Sequence, residues 1–236
     1  MSMWNVEMPA SENRRLPVYL LLDTSGSMAG APIESLRMGL EQFKNEVLDD
    51  EISSPCVHVG IITFGNDAEL VTGNLQPINS FEPPTLNAEG VTRLDKAFKV
   101  LRESIDRDLR RPIKGGRRGD FKPIVFILTD GQTKDDNGYE SDLLWKHEHE
   151  ALVNRHTGQI KVNEIFAAGC GENVQDTTLK AISSKGKAFR MGTSQAAFVA
   201  LFKFVSMSLS CSLALGSNPD DGVNYPPTPN GMIQIP

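Results

Sequence analysis

Apolar and polar positions alternate along this chain in two rhythms, one suited to buried strands and one to helices. Residues 18–22 form a short unbroken apolar run closed by Asp23, the pattern of a strand covered on both faces. Ile33, Leu36, Leu40, Phe43 and Val47 then recur at steps of three and four, which predicts an amphipathic helix with Pro32 in its first turn. Residues 57–64 predict a second strand, and residues 69–72 a short one. Leu94, Ala97, Phe98, Leu101 and Ile105 mark a second helix that cannot continue through Pro112. Residues 124–128 repeat the buried-strand pattern and end at Thr129-Asp130-Gly131. The order continues with a helix over 141–155, a strand over 162–168, a short helix over 176–182 and a strand over 188–190. A final apolar helix follows, capped by Ser194.

Strands that alternate with helices imply βαβ crossovers. The expected fold is therefore α/β, a doubly wound and mostly parallel sheet between helices. The chain divides into an extension at 1–13, one domain at 14–215, and a segment at 216–236 rich in Pro, Gly and Asn that reads as a flexible, dispensable tail.

Composition narrows the function. The 236 residues carry a net charge of −6, which argues against a nucleic-acid or anionic-membrane partner, since phosphate neutralisation needs clustered Lys and Arg. Cys56, Cys170 and Cys211 form no CxxC pair and are odd in number, as expected of reduced thiols. The start lacks an apolar core after its charges, so no secretory leader is predicted. Residues 196–215 are the most apolar segment, but Lys203 and four serines make a buried helix the better expectation than a membrane span. These features together predict a cytoplasmic location.

The segment Asp23-Thr24-Ser25-Gly26-Ser27 carries the candidate chemistry. A carboxylate ends a buried strand, and hydroxyls follow at alternate positions. Ligands of open α/β sheets bind outside the carboxyl ends of the strands. Asp130 ends another such strand, and Thr92 lies in the loop before the second helix. Asp23, Ser25, Ser27, Thr92 and Asp130 then offer only oxygen, the donor set of a hard cation such as magnesium. Calcium would usually collect more carboxylates and carbonyls, and zinc would usually recruit His or Cys. The same Asp-x-Ser-x-Ser spacing also suits a plain Asx-turn and helix cap.

Residues 20–28, LLLDTSGSM, resemble the metal-ion-dependent adhesion site of von Willebrand factor A domains. Residues 90–94, GVTRL, resemble that family's threonine loop, and residues 127–131, ILTDG, its second aspartate strand. The resemblance covers residues 14–210. It implies one bound Mg2+ (Ca2+ or Mn2+ as alternatives) held by Asp23, Ser25, Ser27, Thr92 and Asp130. It also implies a protein-interaction module without catalysis of its own, whose partner presents an Asp or Glu to the metal. Residues 14–23 and 61–64 are further similar to the bacterial TerY/YegL-like group. That likeness implies a tellurite or chemical-stress response with a protein kinase and a PP2C-type phosphatase as partners.

Rival features are weaker. A metal-assisted phosphohydrolase would use the same ion, but no His or Glu falls in the matched motifs to act as base. The basic stretch from Arg107 to Lys122 reads as a solvated loop, and Arg118-Gly119-Asp120 as a chance tripeptide. His147, His149 and His156 lack the HExxH spacing of a zinc helix, and no Walker A or GxSxG run is present. Cys170 reads as a packed loop thiol.

Overall fold

The computed structural model describes residues 14–236 apart from 117, 136, 172, 185, 215 and 216; the expected extension at 1–13 lies outside the described residues. A mixed sheet of eight strands runs through the molecule. Its parallel centre comprises β1 (Leu16–Asp23), β2 (Val57–Phe64), β5 (Ile124–Thr129), β6 (Glu164–Cys170) and β7 (Ala188–Met191). Three short antiparallel strands border it: β3 (Ala68–Leu70) and β4 (Gln76–Pro77) on β2, and β8 (Met232–Gln234) on β7. The order β3-β2-β1-β5-β6-β7-β8 bears out the doubly wound expectation.

Helices cover both faces. α1 (Ala31–Asp49) and α5 (Gln195–Leu213) pack on one. α2 (Leu94–Asp108), α3 (Leu143–Val153) and α4 (Asp176–Ile182) pack on the other. β1 serves both cores by strict alternation. Val18, Leu20 and Leu22 face α1 and α5, whereas Tyr19 and Leu21 face α2 and its neighbours. This explains why its sequence is an unbroken apolar run. α5 is long and apolar enough to cross a bilayer by composition, but it is a core helix here. Phe198, Phe202, Phe204, Val205 and Leu209 are buried, and Ser208 and Ser212 return their hydroxyls to the carbonyls of Phe204 and Ser208. Its first turn is capped by Ser194, whose side chain accepts from the Ala197 N–H.

Two elements are displaced from expectation. The third helix begins at Leu143, because Ser141 is held back by its N–H bond to the Thr133 carbonyl (3.1 Å). The following strand begins at Glu164 and continues through Gly169 to Cys170, where its ladder with β7 persists.

The segment after Gly216 corrects the expectation of a free tail. It crosses beneath the sheet, where the Asp220 carboxylate accepts from Arg14 (2.7 Å) and from the Lys122 N–H (2.8 Å). Tyr225 then stacks on Phe204 and meets Phe166 at a tilt of 48°, and Lys187 sits 3.9 Å from its ring centroid. Val223, Met232 and Ile235 are buried, and β8 pairs with β7. Beyond a single 3-10 turn at Pro219–Asp221, the prolines disfavour a helix here but leave an extended chain free to lie along a groove. A few anchoring side chains do the rest.

Candidate metal centre

The strand order reverses at β1. The chain leaves β1 towards β2 on one side and later returns to β5 on the other. Loops after β1 and β5 therefore diverge, and a crevice opens at their carboxyl ends. Asp23 closes β1 there and is 0% exposed. One carboxylate oxygen accepts from the Ser25 N–H (2.9 Å) and the other from the Thr129 hydroxyl (2.6 Å). The register that sets Leu22 opposite Leu128 brings Thr129 beside Asp23.

From there a chain of polar contacts runs outward. The Ser25 and Ser27 hydroxyls lie 3.1 Å apart, and Ser27 donates to Asp130 at 2.8 Å. Ser25, Thr92 and Asp130 are buried, while Ser27 faces solvent. The Thr92 loop is fixed to the Asp23 loop by backbone bonds: Gly26 N–H to the Gly90 carbonyl (2.9 Å) and Glu89 N–H to the Thr24 carbonyl (2.8 Å). Gly90 has φ +77°, and a side chain there would meet Asn66 at 2.3 Å. Asn66 in turn accepts from the Val91 N–H. A methyl on Gly131 would stand 2.7 Å from the Thr92 hydroxyl, so this glycine keeps space open between β5 and the threonine loop. All five residues singled out in the sequence thus meet at one edge.

Electrostatics at this edge are unbalanced. Burial pushes the Asp23 carboxyl up from 3.8 to about 6, opposed by its bonds from Ser25 and Thr129 and reinforced by Asp130. Burial also raises Asp130. Among the described residues, no Lys or Arg pairs with either carboxylate; nearby Arg93 pairs with Asp95 and Lys96 with Asp67. The donor set is two carboxylates and three hydroxyls. No group of three or more His, Cys, Asp or Glu able to hold a metal exists among the described residues; the donors here are carboxylate and hydroxyl oxygens. An all-oxygen set with two negative charges and solvent access fits a hydrated hard cation.

The roles of three residues at this edge escaped the sequence reading, which named Thr129 and Gly131 only as neighbours of Asp130. Thr129 orients Asp23, Gly131 supplies clearance, and Lys134 reaches the crevice on a hairpin whose backbone is bound to Thr92 (Lys134 N–H to Thr92 carbonyl, 3.0 Å). Cys170, behind the site, is buried with its thiol directed at the Thr129 carbonyl (3.7 Å), and burial raises its pKa; it is a packing thiol. Asp120 of the RGD tripeptide is engaged by the Arg15 guanidinium and the Arg110 N–H, which makes it structural.

The family model of the von Willebrand factor type A domain matches residues 18–203. An uncharacterized protein of Synechocystis sp. is 29% identical over 128 residues, which are 52% of this chain and 27% of that protein. The chain thus spans about a quarter of that relative's length. The pilus adhesin SpaC of Lactobacillus rhamnosus GG superposes with a TM-score of 0.62 at 14% identity, over 84% of this chain and 31% of that one. Proximal thread matrix protein 1 of the mussel byssus gives 0.57 at 20% identity, over 84% and 49%. At such identities the two structures speak to the fold.

Proposed function

Because the chain belongs to the von Willebrand factor type A family, whose domains commonly mediate metal-dependent protein interactions, we propose that its Asp23–Asp130 edge holds one divalent cation and thereby binds a carboxylate of a protein partner. One observation carries this reading. Two carboxylates are drawn into a buried edge beside three hydroxyls, and among the described residues no Lys or Arg is hydrogen-bonded or ion-paired to either of them. Asp23, Ser25, Ser27, Thr92 and Asp130 would hold the ion. Two Asp balance its charge and neutral hydroxyls leave it electrophilic, so an anionic oxygen from outside completes it. Magnesium suits this set best; manganese or calcium fits the same oxygens with less selectivity.

The module acts by binding and not by turnover. A metal-assisted phosphohydrolase needs a base held against the attacking water. Glu140 lines the crevice, but it is exposed and no hydrogen bond fixes its side chain among the described residues. The likeness of residues 14–23 and 61–64 to the TerY/YegL-like group supports a bacterial tellurite or chemical-stress setting, with a kinase and a PP2C-type phosphatase as partners. Three free cysteines support a cytoplasmic site of action.

The test is a pull-down from the host with wild type and Asp23→Ala, each with and without EDTA. Specific partners should appear only with wild type and Mg2+. Ser25→Ala, which keeps the charge balance, should weaken Mg2+ binding less than Asp23→Ala in a calorimetric titration. Recovery of the same proteins in all four lanes would overturn the proposal, as would release of phosphate from a generic phosphoester with Mg2+ that Asp23→Ala abolishes.

A further inference from the structure

Residues 133–135 and 139–141 pair as the two arms of a small hairpin on the rim of the crevice. Lys134 and Glu140 face each other across an isolated antiparallel bridge, and beyond it the Asp135 N–H bonds the Tyr139 carbonyl (2.8 Å) and the Gly138 N–H the Asp135 carbonyl (3.0 Å), with Gly138 at φ +80°. The hairpin is anchored at three points. The Lys134 N–H bonds the Thr92 carbonyl, the Thr133 hydroxyl donates to the Ser141 carbonyl (2.9 Å), and Asp135 accepts from the N–H groups of Asn137 and Tyr139. Lys134 is therefore held to the same loop that presents Thr92.

Lys134 and Glu140 line one crevice together with Ser25, Ser27 and Thr92. Although they are cross-strand partners, no ion pair joins them, and Lys134 makes no side-chain hydrogen bond or ion pair among the described residues. The other cations around this edge are committed: Arg93 to Asp95, Lys96 to Asp67, and Arg190 to Asp176. Lys134 is a half-buried, uncommitted positive charge beside a site that would take one carboxylate.

Resting on the metal-dependent reading above, we infer that Lys134 is a specificity-determining residue, so that the partner is a segment with two acidic residues, one for the cation and one for Lys134. Glu140 opposes that second carboxylate and sets its level of discrimination. An ammonium is a compact charge on a flexible stem, so it tolerates some variation in the spacing of the two acids. It does not replace the cation, because a lone exposed ion pair contributes too little to hold a peptide.

The test uses acetylated, amidated Gly-Ser peptides that carry a single Asp, or that Asp with a second one at each of several offsets. Affinity is measured by calorimetry for wild type, Lys134→Gln and Glu140→Gln, in Mg2+ and in EDTA. For the best-spaced diacidic peptide, Lys134→Gln should lower affinity about three- to five-fold and Glu140→Gln should raise it by a similar factor, the range of a partly exposed ion pair. The single-Asp peptide should respond to neither change by more than experimental error, and added salt should narrow the wild-type preference. Thermal melts of the two variants, superimposable on wild type, would exclude a folding cause. Equal effects on both peptides, or effects of the same sign in both variants, would overturn the role of Lys134 while leaving the cation site standing. A wild-type chain that binds neither peptide in a Mg2+-dependent manner would instead overturn the reading on which it rests.

Discussion

Asp23 sets the cost of the site. Its carboxyl is fully buried and its pKa stands at about 6 in the folded chain, against 3.8 as an ordinary carboxylate. The metal-free folded state therefore holds the proton more tightly than the unfolded state between those values. Its stability falls as pH rises through that window and stays lowered above about 6. Asparagine has the same shape. Its oxygen can accept from the Ser25 N–H, and its amide can donate to the Thr129 hydroxyl. Asp23→Asn in EDTA should thus be more stable than wild type by roughly 2 kcal/mol at pH 8, and by little at pH 4, in urea unfolding. In saturating Mg2+ the order should reverse, because only wild type gains from the ion. A variant that is less stable than wild type in EDTA at pH 8 would mean that the carboxylate is compensated by groups of the chain itself.

At the scale of elements, the last stretch of chain behaves as part of the core. Val223, Met232 and Ile235 are buried, and Tyr225 contributes an aromatic face. Deleting residues 217–236 should therefore destabilise the domain by on the order of 4 kcal/mol, at ~1.5–3 kcal/mol per large apolar side chain with part of each regained by collapse. A melting temperature unchanged by the deletion would show that the segment is held only weakly. Nothing in its sequence announces this role, since β8 has three residues and no periodicity, and its place is set by Met191 and Phe189 across the ladder. β4 escapes detection for the same reason. β1 and β5 are legible because burial on both faces demands a continuous apolar run, and α1 and α2 because one apolar stripe per helix suffices. Asp23 and Asp130 are legible as strand ends. Thr129 and Gly131 are not, because their work is to orient a carboxylate and to leave room, and neither leaves a spacing pattern. The hairpin at 133–141 has its Asn-Gly turn signal, but the flanking residues are too polar to read as strands.

Across the whole molecule, the two cores lie on opposite faces of one sheet and neither includes Asp23, Ser25, Ser27, Thr92 or Asp130. Folding therefore should not depend on the ion. In EDTA the chain should melt in a single cooperative step. Mg2+ at about 100 times its dissociation constant should add no more than ~2.7 kcal/mol, the linkage expected of one site. Circular dichroism of an unfolded metal-free chain would contradict this. The von Willebrand factor type A fold here is thus a rigid frame that carries an electrostatic deficit at one rim.

The return of β8 has a consequence for how such a frame can be mounted. β8 runs antiparallel to β7, so the chain leaves the sheet heading away from the rim of Asp23 and Asp130, and Arg14 enters β1 from that far side, tied there to Asp220. The Ile235 N–H closes this return on the Ala188 carbonyl (2.9 Å) at the start of β7. A tether attached after β8 would therefore pull from the side of the sheet opposite Asp23 and Asp130 and leave the loops that present Ser25, Thr92 and Lys134 uncovered.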